Sequence, residues 1–308
     1  MKHAKKWLAL LLVSAFCVAL LSGCVKEEME PAGEVSGFES ERHFGVESTP
    51  ANSENVTEES AERTFSGEFI VSEKRYAYKN ENLMLLHVQN DTDTHYDVTI
   101  IGRYLDADGN TIKEESQTYR AFPSGWENYF LFRPKGIFES FEYELETKKF
   151  EVVTEYDEMY ANNGEPLSAY VTVGWMKDLH WTGNPFNSRD LEFTIKAENQ
   201  HPAVIAGIEG HVLILDEQGE VYGMDYEYYD TWGGQAAKYP TTNFNVQPIG
   251  GEDDGRKIQT LRMQPKNGDE TLPNQSKLTF IFARSCTIDH AVMDRLYWAG
   301  KLPSDYVL

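Results

Sequence analysis

The sequence predicts a mostly β protein: two antiparallel β-sandwich modules in tandem behind a disordered tether, closed by a short C-terminal helix. Three observations lead there. Beyond Thr64 apolar residues recur with period two between closely spaced turn residues, the signature of strands. One pattern of strand, Asn turn, strand and Asp-x-x-Gly hairpin occurs twice. Helix signals are scarce until the last twenty residues.

The 308 residues carry 28 Lys+Arg against 50 Asp+Glu, a net charge of −22. Such acidity excludes nucleic acid as a partner, because little is available to neutralise a phosphate backbone. It also excludes electrostatic attraction to anionic lipid. Hydrophobic residues at 41% and aromatics at 13% suffice for real cores.

Residues 1–23 read as a signal peptide. Lys2, Lys5 and Lys6 form a basic start, and Trp7 to Leu21 follows without a charge, too short to span a bilayer. The stretch Leu21-Ser22-Gly23-Cys24 resembles the lipobox of bacterial lipoproteins. The resemblance implies a diacylglyceryl thioether on Cys24, a further N-acyl chain such as palmitate, and anchorage on the extracytoplasmic face of the cell membrane. Each buried methylene contributes about 0.8 kcal/mol, and more than one chain anchors stably. Once Cys24 is lipidated, Cys286 is the only other cysteine of the exported chain, so no disulfide is expected.

Residues 24–65 are rich in Glu, Ser, Asn and Pro, with no sustained apolar period. This composition cannot offset the entropy of ordering, so it predicts an acidic disordered tether with a reach of ~35 Å.

Module one is expected at 66–150, a connector at 151–166 and module two at 167–308. In the first copy Leu86–Asn90 leads through a loop to a strand, Val98–Leu105, and then Asp106-Ala107-Asp108-Gly109. In the second, Ile195–Asn199 leads to Ile208–Leu215 and Asp216-Glu217-Gln218-Gly219. The Asn-to-Asp spacing is 16 residues in one copy and 17 in the other, a difference that fits the loop. Gly supplies the positive φ of each hairpin, and Asp closes an Asx turn. Tyr104-Leu105-Asp106 and Ile214-Leu215-Asp216 resemble the motif of the FxLYD-type immunoglobulin-like modules of Gram-positive lipoproteins, although the second copy lacks the Tyr. The resemblance implies immunoglobulin-like sandwiches, with no chemistry attached; it favours a Gram-positive envelope, while Val25 after the lipidated cysteine fits either envelope type. Near the end, Thr287 or Asp289 is placed to cap a helix running to Trp298, closed by Gly300 and Pro303.

Module two is the larger, its excess falling at 222–257. Within that span Tyr226, Tyr228, Tyr229 and Trp232 are interleaved with Asp225 and Asp230. Flat rings beside carboxylates suit a sugar, whose C–H faces stack while its hydroxyls donate to acids. They form the candidate ligand site, with Trp175 and Trp181 as candidates for the same surface. The alternative is ordinary strand chemistry, since Tyr and Trp favour sheets. The chain then reads as a membrane-anchored lipoprotein that binds an extracellular protein or glycan through module two. A second reading is a structural or assembly part of an envelope complex. A third is a glycoside hydrolase using Asp225 and Glu227, which on one strand face would lie about 7 Å apart.

No catalytic motif, cofactor motif or metal motif is present, and no catalytic residue, metal or cofactor is expected. Cys286 and His290 have the spacing of a nucleophile and its base. However, Cys286 ends an apolar run and reads as a buried structural thiol. Asp106-Ala-Asp108-Gly109-Asn110 lacks the Gly and Glu placement of a calcium loop and reads as a hairpin. Glu252-Asp253-Asp254 reads as a solvated loop.

Overall fold

In the computed structural model the described residues are 65–79, 81–134, 138–176, 178–181, 191–225, 242–265 and 273–303. The signal peptide, Cys24 and all but the last residue of the expected tether lie outside them. Among the described residues no helix is long and apolar enough to cross a membrane.

The first sandwich faces two three-stranded antiparallel sheets. β1 (Glu68–Tyr78), β2 (Glu81–Asp91) and β5 (Glu127–Phe132) run in the order β1-β2-β5. β3 (Tyr96–Leu105), β4 (Thr111–Phe122) and β6 (Ser140–Lys149) run in the order β4-β3-β6. Period-two alternation puts Met84, Leu86 and Val88 of β2 against Val98, Ile100 and Tyr104 of β3. Tyr119, Phe122, Phe130 and Phe132 complete that core.

The segment that follows is folded. A 3-10 turn, Asp157–Met159, precedes a small hairpin of β7 (Ala161–Asn162) and β8 (Glu165–Pro166). Met159, Tyr160 and Ala161 join Ala121 and Phe150 in a core completed by helix α1 (His290–Trp298). Asp289 caps α1, accepting from the N–H groups of Ala291 and Val292. Thr287, the other expected cap, is instead buried in the preceding strand. Gly300, at φ +64°, follows the helix end.

The second sandwich contains β9 (Val171–Trp175), β10 (His180–Trp181), β11 (Leu191–Asn199), β12 (Ala206–Leu215), β13 (Val221–Asp225), β14 (Thr242–Val246), β15 (Arg256–Pro265) and β16 (Thr279–Asp289). β9 and β15 flank β11, while β13, β14 and β16 pair with β12. The end of β15 also pairs with β13, joining the two halves into one hydrogen-bonded sheet.

The two sandwiches repeat each other strand for strand. β9, β11, β15, β12 and β16 stand where β1, β2, β5, β3 and β6 stand. Asn90 and Asn199, both essentially inaccessible, hold the same corner. Asn90 Oδ1 accepts from the Thr92 N–H, and its amide donates to the carbonyls of Thr94 and Pro123. Asn199 Oδ1 accepts from the His201 N–H, and its amide donates to the carbonyls of Val204 and Val246. The local carbonyl is four residues on in one copy and five in the other, which is the one-residue difference in loop length. The hairpins match too. Asp106 Oδ1 accepts from the N–H groups of Asp108 and Asn110, and Asp216 Oδ1 from those of Gln218 and Glu220. Gly109 (φ +80°) and Gly219 (φ +73°) supply the left-handed residue.

One difference stands out. β4 is continuous along β3. Its counterpart along β12 is divided: β13 pairs with Leu213–Leu215 and β14 with Ala206–Gly210. Residues 226–241 lie between those two halves.

The sandwiches also share a core. Leu83 and Leu85 alternate with the inward residues of β2 and so point out of the first sandwich. With Tyr76, Tyr78 and Leu131 they meet Leu213, Leu215, Val221, Met224, Ile281 and Ala283 of the second. Strands buried on both faces read as continuous apolar runs, as Val212–Leu215 does.

Candidate functional site

Of the residues named for a ligand site, Tyr226, Tyr228, Tyr229, Asp230 and Trp232 lie outside the described residues. Asp225 ends β13, with its backbone opposite Met263. Trp175 and Trp181 are partly buried and pack against the second sandwich's core, Trp175 5.8 Å from the Phe280 ring. Glu252, Asp253 and Asp254 are exposed, in a loop where Asp254 accepts from the Gly250 N–H. Among the described residues no group of three or more His, Cys, Asp or Glu side chains is placed to hold a metal. Asp106 is committed to its turn, whose backbone donors, Asn110 foremost, hold its carboxyl below the usual range.

Cys286 and His290 each face a different partner. His290 Nδ1 faces Asp294 at 3.2 Å on α1. Burial pushes the Cys286 thiol well above its ordinary pKa, and its hydrogen-bonded neighbour Glu209 adds to the effect. The Glu209 carboxyl is itself raised by burial. A thiol held protonated is a poor nucleophile.

What the fold does build is a cleft between the sandwiches, with a volume of about 300 Å³. Glu115, Gln117 and Thr118 of β4, Phe130 and Leu131 of β5, and Arg133 line one side; His211 of β12 and Ser285 of β16 line the other. Gln117 fixes the first wall by donating from Nε2 to the Leu131 carbonyl at 2.8 Å. Glu115 accepts from Lys113 at 3.0 Å and Tyr104 at 3.4 Å, both through Oε2.

A β-bulge places Ser285. Glu209 pairs with Cys286 but Gly210 with Arg284, so Ser285 is the extra residue. Gly210 permits this close approach: a Cβ there would stand 2.6 Å from the Ala283 carbonyl oxygen and 2.8 Å from the Phe282 ring.

Beside the bulge a buried polar junction joins the sandwiches. Arg284, 3% exposed, donates to the Val171 carbonyl at 3.1 and 3.2 Å and lies 5.2 Å from the Trp126 ring. Among the described residues no carboxylate pairs with it, and burial lowers its pKa. Asn128 donates to the Arg284 carbonyl at 2.7 Å and accepts from its N–H. The Tyr119 hydroxyl meets Ser168 at 2.5 Å and Thr287 at 3.2 Å. Sequence reasoning missed this set because its members are 168 positions apart at the extreme. The one available signal was Arg284 itself, a charge directly after the apolar run Leu278–Ala283 and ahead of Cys286.

No family model matches the chain, and no curated protein matches it. Two solved structures are similar over most of its length. Red sea bream transglutaminase aligns at 8% identity and a TM-score of 0.18, covering 72% of this chain and 31% of that one. The N-terminal CBM22-1–CBM22-2 tandem domain of Paenibacillus barcinonensis Xyn10C aligns at 9% identity and a TM-score of 0.15, covering 73% and 92%. The chain thus spans about a third of the transglutaminase. Neither likeness bears on function.

Proposed function

We propose that the chain is an exported bacterial lipoprotein, held on the extracytoplasmic face of the cell membrane by acyl chains on Cys24. It binds an extracellular protein or glycan through the second sandwich. The observation that supports binding is the divided strand. Where the first copy runs straight through β4, the second interrupts the same strand between Asp225 and Thr242. The text inserted there holds Tyr226, Tyr228, Tyr229, Asp230 and Trp232. An insertion that the repeat does without, carried on a rigid scaffold, is where recognition residues are usually found. The lipid anchor is supported by Lys2 to Cys24 alone.

Two experiments test the two halves. Cells expressing the chain are fed an alkyne-tagged fatty acid: label is expected on the parent and absent from Cys24→Ser, and an unlabelled parent removes the anchor. The purified protein is then screened by thermal shift against cell-wall and host glycan fragments. A ligand that binds only the folded state adds about 2.7 kcal/mol of apparent stability at a hundredfold excess over Kd. The shift should disappear in Trp232→Ala or Tyr229→Ala. A flat response to glycans, with no partner retained from the parent envelope, would favour the structural or assembly role.

A further inference from the structure

We propose that the surface where helix α1 stops docks on a lipid bilayer, with Trp298 and Val153 entering its headgroup region. This rests on the membrane-anchored reading above and adds to it a seat for the folded body.

Among the described residues the two most exposed large apolar side chains are Trp298, at 83%, and Val153, at 77%. They belong to segments far apart in sequence, and one ion pair holds those segments together, Lys301 Nζ lying 2.8 Å from Glu155 Oε2. The fold forces neither exposure. Val292, Met293 and Leu296 are the inner face of α1. Tyr297 and Trp298 stand outside that stripe, edge to face with their rings 5.3 Å apart. Val153 sits in a turn held by its backbone, the N–H groups of Val153 and Thr154 donating to Asp157, so a polar residue would serve there equally. Apolar side chains scattered singly mean little, whereas a cluster of them marks an interaction surface.

The place where the tether joins the folded body chooses the occupant. The Ser66 N–H donates to the Asp91 carboxylate and the Gly67 N–H to the Asp91 carbonyl, both at 2.9 Å. Asp91 opens the loop in which the His95 carbonyl accepts from the Phe150 N–H at 2.9 Å. Phe150 in turn belongs to the core that α1 completes. The chain from Cys24 onward therefore enters the fold beside the elements that carry the patch, and a bilayer within reach of the tether is within reach of Trp298.

The chemistry of the patch suits such a surface. Trp and Tyr concentrate at the headgroup level, where an apolar ring with one polar atom meets both phases. Arg295 and Lys301 both attend the Glu155 carboxylate, and long cationic side chains snorkel from apolar surroundings toward headgroup phosphates. Asp294, the other carboxylate at this end of α1, faces His290 at 3.2 Å. Two cations thus balance two carboxylates around the patch, which does not share the acidity of a chain with a net charge of −22.

The test holds the exported chain, residues 24–308, on phosphatidylcholine vesicles through a His tag ahead of residue 24 and a nickel-chelating lipid. Tryptophan emission is compared with and without lipids brominated near the headgroup. The tag replaces the acyl chains, so a failure to dock is distinct from a failure of acylation, which the alkyne label reads separately. Bromine should quench the parent, and Trp298→Phe should lose most of that quenching although Trp126, Trp175, Trp181 and Trp232 remain. Val153→Asp should also lose most of it. Both variants should keep the circular dichroism of the parent, because both side chains are exposed. The proposal is overturned if bromine leaves the parent's emission unchanged or if either variant is quenched as the parent is. It is equally overturned if sedimentation without vesicles shows parent dimers that Val153→Asp abolishes, which would give the patch to a second copy.

Discussion

Replacing Asn90 by Asp tests the repeat at its most informative atom. The two side chains are isosteric, so no cavity opens, and Oδ1 can still accept from the Thr92 N–H and hydroxyl. What goes is the amide donor, which now makes 2.9 Å bonds to the carbonyls of Thr94 and Pro123. Each lost bond is worth about 0.5–1.5 kcal/mol, and a buried carbonyl left without a donor costs about 1–3 kcal/mol. A destabilisation of about 3–4 kcal/mol at neutral pH is therefore expected, from a carboxylate facing two carbonyl oxygens at a site with 0% exposure. The sign of its pH dependence follows. A protonated carboxyl regains one donor, so the folded state holds the proton more tightly than the unfolded state, whose pKa is about 3.9. The variant should be closest to the parent below that value and lose ground as pH rises through the raised folded value. Asn199→Asp should behave alike, since its amide serves the carbonyls of Val204 and Val246 in the same way. Urea denaturation followed by circular dichroism at several pH values measures both. A loss under 1 kcal/mol in either variant, or a gap from the parent that does not narrow in acid, would refute the corner role given to these residues.

Three further outcomes are expected. Leu213→Ala, at a 0% exposed position in the core shared by the sandwiches, should cost about 2–5 kcal/mol and shift a single unfolding transition in calorimetry; two separate transitions would show the sandwiches unfolding independently. Gly210→Ala should cost about 3 kcal/mol, because its nearest neighbour is a backbone carbonyl at 2.6 Å, whereas Gly174→Ala, with nothing within 4 Å, should be near neutral in the same denaturation assay. His201 accepts through Nδ1 from the N–H groups of Ala203 and Val204, and burial lowers its pKa despite Asp289. Its contribution should be full above about pH 6.5, the unfolded value, and be lost as pH falls through the lowered folded value; His201→Gln should flatten that part of the stability–pH curve.

Much of the fold was legible because its determinants are local. Period two in Leu191–Ala197 gave the strand and its inward face, and Asp-x-x-Gly gave both hairpins. The paired Asn residues marked the repeat before any partner carbonyl was known. The C-terminal helix was legible from Gly300 and Pro303, though of two offered caps only Asp289 has its side chain free, Thr287 being held by Tyr119. The shared core was not legible. Leu83 and Leu85 look like the solvent face of an alternating strand until Leu213 and Leu215 are brought against them. The cleft was hidden for the same reason, since Glu115 and Ser285 meet only through the packing of one sandwich on the other. Within one strand, a bulge at Ser285 leaves no mark on the period of the surrounding residues.

The two copies pack through different faces of the repeated unit. The outer face of β1-β2-β5 in the first sandwich meets the outer face of β13-β12-β16 in the second. These are different faces of the repeated unit, so the contact is heterologous, a kind that propagates unless its free ends are blocked. Both free ends carry charge. On the first sandwich Arg103 of β3 bridges Glu114 and Glu144 at 2.9 and 3.0 Å. On the second, Glu198 of β11 takes Lys196 at 2.5 Å and Arg256 at 3.5 Å, and His180 faces Glu192 at 3.4 Å. Polar outer faces are how stacked repeats are capped. Each of these faces also carries an exposed aliphatic side chain, Ile112 of β4 and Ile258 of β15, the latter opposite Lys196. At the junction itself Leu213 and Leu215 of the second sandwich are buried against Leu83 and Leu85 of the first, apolar surface that either sandwich alone would expose to water.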